Sequence, residues 1–202
     1  VSMRLGHTGG LLWNRQPANL WRFSREKTGG GSFIMLGVHY LHFVRWILGL
    51  RITRVLAQTA NLHCQRVEGE DICQLQGELE NGAMIQLSTA WNSQGEHFSV
   101  YGTEGSLVYL DNEQLRIHGV HPWQTRHFNY QSTGKWEAFA AVLPPRLDDP
   151  ANPYNQHLAF AAALREGRDP VVTSRDGLWD HQVTDAVYRS AQTGAWVTIS
   201  YE

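Results

Sequence analysis

The stretch CQLQGELENGAMIQLSTAW, residues 73–91, decides the fold. Cys73, Leu75, Gly77 and Leu79 alternate with Gln74, Gln76, Glu78 and Glu80, and the alternation resumes with Ala83, Ile85, Leu87, Thr89 and Trp91. A period of two places one set of side chains on each face of a strand. Asn81-Gly82, between the two runs, tolerates the positive φ of a type I′ turn. Residues 73–91 therefore read as a β-hairpin with one buried and one polar face.

Working outward, strand patterns recur at 1–7, 52–62, 97–102, 106–110, 114–118 and 125–130, with a last strand at Trp196–Tyr201. Gly102-Thr103-Glu104-Gly105 joins two of them by a tight turn. A polar loop punctuated by tryptophan runs from Thr8 to Lys27. Gly29-Gly30-Gly31 then leads into Ser32 as the N-cap of a helix to about Leu48, closed by Gly49. A proline-rich loop, Leu143–Pro153, precedes two amphipathic helices. One covers Tyr154–Glu166, with Leu158, Phe160, Ala161 and Leu164 inward; the other covers Ser174–Thr193, capped by Ser174 and stopped by Gly194. The expected class is α+β: a large, open, mainly antiparallel β-sheet with helices packed on one face, with residues 1–202 as a single domain.

With 202 residues, 42% of them hydrophobic, the chain can bury a core without staples. Lys and Arg (17) nearly balance Asp and Glu (19), without the basic surplus that nucleic acid calls for. The longest apolar run, Phe33–Leu48, is interrupted by His39, His42 and Arg45, so no membrane span is expected. Cys64 and Cys73 form no C-x-x-C and read as reduced core thiols, which together with the lack of a signal peptide points to the cytoplasm. The opening Val1-Ser2-Met3 falls within strand-like sequence, as a fragment's would.

Three features carry chemistry. Gly29-Gly30-Gly31-Ser32-Phe33-Ile34 imitates G-x-G-x-x-G, but Ile34 stands where the third glycine belongs and no strand precedes it, so it is not a dinucleotide loop. Free N–H groups at that helix start could still hold an anionic or hydroxylated group. The helix that follows is apolar nearly all round and reads as buried, with Met35, His39, His42 and Trp46 in one stripe. Its histidines are either core residues bonded to carbonyls or proton-transfer groups aimed into a pocket. A metal site would need His157 or His181 to join them, and no acid or cysteine with ligand spacing does, so none is expected. Trp21-Arg22-Phe23 either presents a stacking surface for a sugar ring or pins its loop to the sheet.

The order W-R-F, G-G-G, L-G-V-H and R-W-x-L-G over Trp21–Gly49 resembles the C-terminal domain of the Gfo/Idh/MocA oxidoreductases, the relatives of glucose–fructose oxidoreductase and inositol dehydrogenase. The resemblance continues through E-N-G (Glu80–Gly82), V-Y-G-T-E-G-S (Val100–Ser106) and D-G-L…A-V-x-R-S-A-x-T-G-x-x-V (Asp176–Val197). It implies a two-domain NAD(P)-dependent enzyme whose Rossmann domain, absent here, binds NAD or NADP. This half would supply the pocket for a sugar, polyol or cyclitol and, through its open sheet face, a homodimer contact. The family histidine that assists proton transfer corresponds to His39, with Trp21, Arg22, His42 and His181 lining the pocket. The acid found four residues before that histidine in many members is Met35 here, and the acid three residues after it is His42. These departures leave open a non-catalytic ligand-binding or scaffolding relative.

Overall fold

In the computed structural model, the described residues are 1–13, 21–110, 114–119, 126–129 and 156–202. They fall into two compact units, Val1–Tyr101 with Trp179–Glu202, and Gly102–Leu178. The first contains β1 (Ser2–Gly6), β2 (Ile52–Ala60), β3 (Ile72–Leu79), β4 (Met84–Ala90), β5 (Gly95–Gly102) and β9 (Val197–Thr198), side by side in the order β5-β1-β4-β3-β2-β9. Every neighbouring pair is antiparallel except β1 with β4. The chain is thus α+β with a mainly antiparallel sheet, as expected.

The alternation fixes the two faces of the sheet. Met3, Val55, Cys73, Leu75, Leu79, Ile85, Leu87 and Phe98 are buried, whereas Gln74, Gln76 and Gln86 on the other face are exposed. On the buried side lie α3 (Val38–Leu48), through Tyr40, Leu41 and Val44, and α5 (Ser174–Thr193), through Val183, Ala186, Val187 and Ser190. Phe98 of β5 meets Phe43 edge-on at 4.7 Å, and Ser190 Oγ accepts the Ala57 N–H at 2.9 Å. Burying an aliphatic or aromatic side chain of this size stabilises the fold by about 1.5–3 kcal/mol.

The turn differs from the expected type I′. Gly82 N–H donates to Leu79 O at 2.9 Å and Leu79 N–H to Ala83 O at 2.8 Å, with Gly82 at positive φ (82°). The loop therefore holds three residues, Glu80–Gly82, and ends in a glycine bulge. The physical reason is parity. Leu75 pairs with Leu87 and Gly77 with Ile85; a two-residue loop would set each inward residue opposite an outward one.

Several boundaries also move. Thr8–Lys27 is not one loop: α1 (Gly9–Trp13), a 3₁₀ turn (Trp21–Phe23) and α2 (Arg25–Thr28) occupy its described parts. The cap of α5 is Thr173 rather than Ser174. Thr173 N–H and Oγ1 both donate to Asp176 Oδ2, at 2.6 and 2.7 Å, and Asp176 N–H donates back to Thr173 Oγ1 at 3.4 Å.

The second unit contains the antiparallel meander β6 (Gly105–Leu110), β7 (Gln114–Gly119) and β8 (Arg126–Asn129), and α4 (Gln156–Glu166). The inward set expected for α4 is not observed: Leu158, Phe160 and Leu164 are exposed and Ala163 is the buried residue. Its apolar residues have no wide face to share, since Ala159, Ala161 and Ala162 add little area between them. The proline-rich segment expected at 143–153 lies outside the described residues.

Candidate active site

The glycine run has a structural cause. A Cβ on Gly31 would lie 2.0 Å from Glu70 O, and one on Gly30 would lie 1.9 Å from Tyr188 Oη. The segment before β3 thus presses directly on the glycines. Glu70, only 8% exposed, accepts from Gly31 N–H at 2.9 Å (Oε2) and from Phe33 N–H at 2.8 Å (Oε1), while Ser32 N–H donates to Glu70 O at 2.8 Å. Tyr188 Oη–H donates to Glu70 Oε1 at 3.0 Å. Two expectations are corrected here. Ser32 is helical (φ −61°, ψ −32°) and does not cap; its Oγ pairs with Thr89 Oγ1 at 3.1 Å. The helix start is no vacant anion site either, because the chain's own carboxylate occupies it. Burial and the neighbouring Glu70 charge push the Tyr188 phenol well above its ordinary range.

The helix opens with a π-helical segment, Phe33–Gly37, in which Val38 N–H reaches Phe33 O five residues back. Gly37 is required there, since a Cβ would meet the Phe33 ring at 2.5 Å. The wider turn changes the phase between Met35 and His39. The expected single stripe is accordingly split. Met35 packs on a buried cluster of Phe23, Cys64, Val67 and Trp91, whereas His39 is exposed. The helix is not buried all round: Phe43, Trp46 (55% exposed) and Ile47 face outward with His39.

His42 is half-buried and has an acidic partner. Its Nδ1 lies 3.0 Å from Asp180 Oδ2 on α5 and 3.0 Å from Arg45 Nη2. Arg45 reaches Asp180 Oδ2 at 3.5 Å and stacks over the Trp179 ring at 5.3 Å. His181 sits next to Asp180 in sequence but on the exposed side of α5, and the structure does not bring it to His42. In the 3₁₀ turn the two readings divide between residues: Phe23 is buried and pins the segment, while Trp21 is 51% exposed with the Arg22 guanidinium 5.4 Å above its ring.

A third carboxylate organises the loop after β2. Asp71, fully buried, accepts N–H groups of Leu62 (3.0 Å), His63 (2.7 Å) and Cys64 (3.0 Å). Burial alone would raise its pKa, but these bonds outweigh it and hold the carboxyl below its ordinary value. In the unfolded chain Asp71 titrates near ~3.9, so its contribution is fully present above that pH and disappears as pH falls through the lower folded value. Denaturation midpoints measured below about pH 4 should drop with pH, and Asp71→Asn should flatten that acid limb; an unchanged slope would exclude Asp71 as its source. Cys64 and Cys73 are both free and buried, as expected. Burial, with Asp71 adding to it, pushes the Cys64 thiol up to about 12, which leaves no thiolate at neutral pH.

Glu70, Asp71 and Asp180 were not singled out from sequence. The spacing of glycines at 29–31 carried the only signal, a demand for close backbone approach, and nothing in it named Glu70 as the neighbour.

Known proteins agree with this architecture. The chain is 27% identical over 177 residues to a 1,5-anhydro-D-fructose reductase of Ensifer adhaerens, covering 86% of this chain and 49% of that one. It is 28% identical over 171 residues to a D-apiose dehydrogenase of Paraburkholderia graminis, covering 81% and 44%. It spans about half the length of these curated relatives. Among solved structures, an aldose–aldose oxidoreductase from Caulobacter crescentus complexed with glycerol superposes with a TM-score of 0.75 at 23% identity, over 98% of this chain and 54% of that one. A levoglucosan dehydrogenase in complex with NADH and L-sorbose gives 0.74 at 19% identity, over 99% and 58%. Residues 7–199 match the C-terminal alpha/beta domain of the GFO/IDH/MocA oxidoreductase family, and the chain belongs to that family.

Proposed function

We propose that this chain is the substrate-binding half of an NAD(P)-dependent oxidoreductase that acts on a sugar, polyol or cyclitol. The observation that carries the reading is the outer face of α3, where an imidazole, His39, stands exposed among Phe43, Trp46 and Ile47. Oxidising a hydroxyl needs a group to take its proton and apolar surroundings that exclude water. His39 would exchange that proton, and Trp21, Arg22 and His42 would contact the sugar. The relatives named above act on sugars, which supports the substrate class. A dinucleotide does not fit the glycine-rich helix start, because Glu70 fills it. In this reading NAD or NADP is held by residues outside these 202.

The test uses the full-length natural protein and follows NAD(P)H absorbance with a panel of aldoses, anhydro-sugars and polyols. At least one should turn over, and His39→Ala should lower that turnover about tenfold or more with an unchanged melting temperature, since His39 is exposed. A full panel without turnover would remove the reading in favour of a non-catalytic relative. The open sheet face would pair with a second copy. It forms a depression of about 530 Å³ lined by Ser2, Arg4, Gln74, Gln76, Gln86, Ser88 and His97. Light scattering should then report a dimer, and Gln86→Arg at the centre should shift it towards monomer; a monomer at high micromolar concentration would exclude the pairing.

A further inference from the structure

We infer that Asp180 and Arg45 hold His42 in one tautomer, so that His42 Nε2 presents a hydrogen-bond acceptor and selects a ligand hydroxyl. The identity of that ligand, a polyol or sugar, rests on the function proposed above; the tautomer does not.

Asp180 is a carboxylate 6% exposed, and a buried carboxylate requires donors. Its Oδ2 has two within reach, His42 Nδ1 at 3.0 Å and Arg45 Nη2 at 3.5 Å. His42 Nδ1 in turn faces both the carboxylate, which only accepts, and the guanidinium, which only donates. The neutral ring can therefore answer one of them. As the Nδ1–H tautomer it donates to Asp180 in a charge-assisted bond, and Arg45 keeps both its own contact with Asp180 and its place over Trp179. As the Nε2–H tautomer it accepts from Arg45, and the buried carboxylate loses its nearest donor. The second arrangement leaves an under-satisfied buried charge, so the first prevails.

With Nδ1 committed, the other nitrogen carries the lone pair. The His42 side chain is 30% exposed against 9% for Asp180, and no described residue bonds Nε2. A fixed acceptor at a half-open position takes a hydroxyl donor. It discriminates against an ether or a deoxy position, because those leave it unpaired, by factors that reach about 10⁴ where such a site is dry. Asp180 and Arg45 touch no ligand in this scheme and are positioning residues.

The tautomer is measured by ¹⁵N-histidine NMR on the 202-residue chain at alkaline pH, with the His42 signals assigned by their loss in His42→Gln. Nδ1 should be protonated and Nε2 unprotonated in at least about tenfold excess, and Asp180→Ala should reverse the ratio by freeing Nδ1 to accept from Arg45. A wild-type ring protonated at Nε2 would overturn the inference, and that spectrum decides even if Asp180→Ala fails to fold. Because no turnover is involved, this failure is distinct from failure of the oxidoreductase reading, which the absorbance panel decides.

Discussion

Glu70→Ala should cost the fold about 3–5 kcal/mol. The carboxylate satisfies Gly31 N–H, Phe33 N–H and the Tyr188 hydroxyl at once, all within 3.0 Å. Removing it orphans three buried donors, each worth about 1–3 kcal/mol when left unpaired, with some relief from water entering the gap. For a chain of this size the melting temperature should fall by roughly 6–20 °C. Glu70→Gln keeps an oxygen for one N–H but turns an amide N–H₂ towards another donor, so it should lose less than alanine and not be neutral. Calorimetry on both variants is the check, and a Glu70→Ala midpoint within a degree or two of wild type would refute the account of the helix start.

Gly31→Ala should be comparably damaging, for a reason that involves no hydrogen-bonding group of its own. The new methyl would fall 2.0 Å from Glu70 O and 2.5 Å from Glu70 N, which are backbone atoms with no rotamer to escape into. Overpacking of this kind costs about 1–3 kcal/mol and more where backbone must shift. Here the shift carries Glu70 away from its donors as well. The two substitutions damage one arrangement, so the double variant should fall well short of the sum of the singles. Gly49→Ala is the control: its φ is 65° but nothing lies within 4 Å, so only the local backbone strain, about 1 kcal/mol, should appear. Strict additivity of Glu70→Ala and Gly31→Ala in denaturant titrations would contradict the shared cause.

The alternation at 73–91 made the sheet legible, because burial on one face imposes a period that no other local preference imitates. The turn within it was misread, since Asn81-Gly82 suits a type I′ turn chemically. The parity of the inward positions, odd on both strands, overrides that suitability and was already present in the letters. The site was less legible. His39 and His42 stand out as polar interruptions of an apolar helix, and the family pattern adds their roles, but that helix reads as buried all round because composition cannot show which face meets a neighbour. The π segment sets Gly37 against the Phe33 ring, an approach between two residues four apart that periodicity treats as ordinary helix. Asp180 lies 138 residues from His42, and no local spacing reports a pairing of that range.

The parallel pairing of β1 with β4 has a consequence for how the molecule is made. Residues 2–6 form β1, yet β1 lies between β4 and β5, with Ser2 opposite both Gln86 and Ser99. During synthesis this strand emerges before both of its neighbours and can find neither until some eighty further residues have followed. The β3–β4 hairpin can close locally in the meantime, leaving one edge of β4 open. Assembly must then recruit a distant segment into the middle of the sheet, a step of high contact order and therefore slow. Until it occurs, the open edge of β4 can pair with any extended strand, including the same segment of another nascent chain.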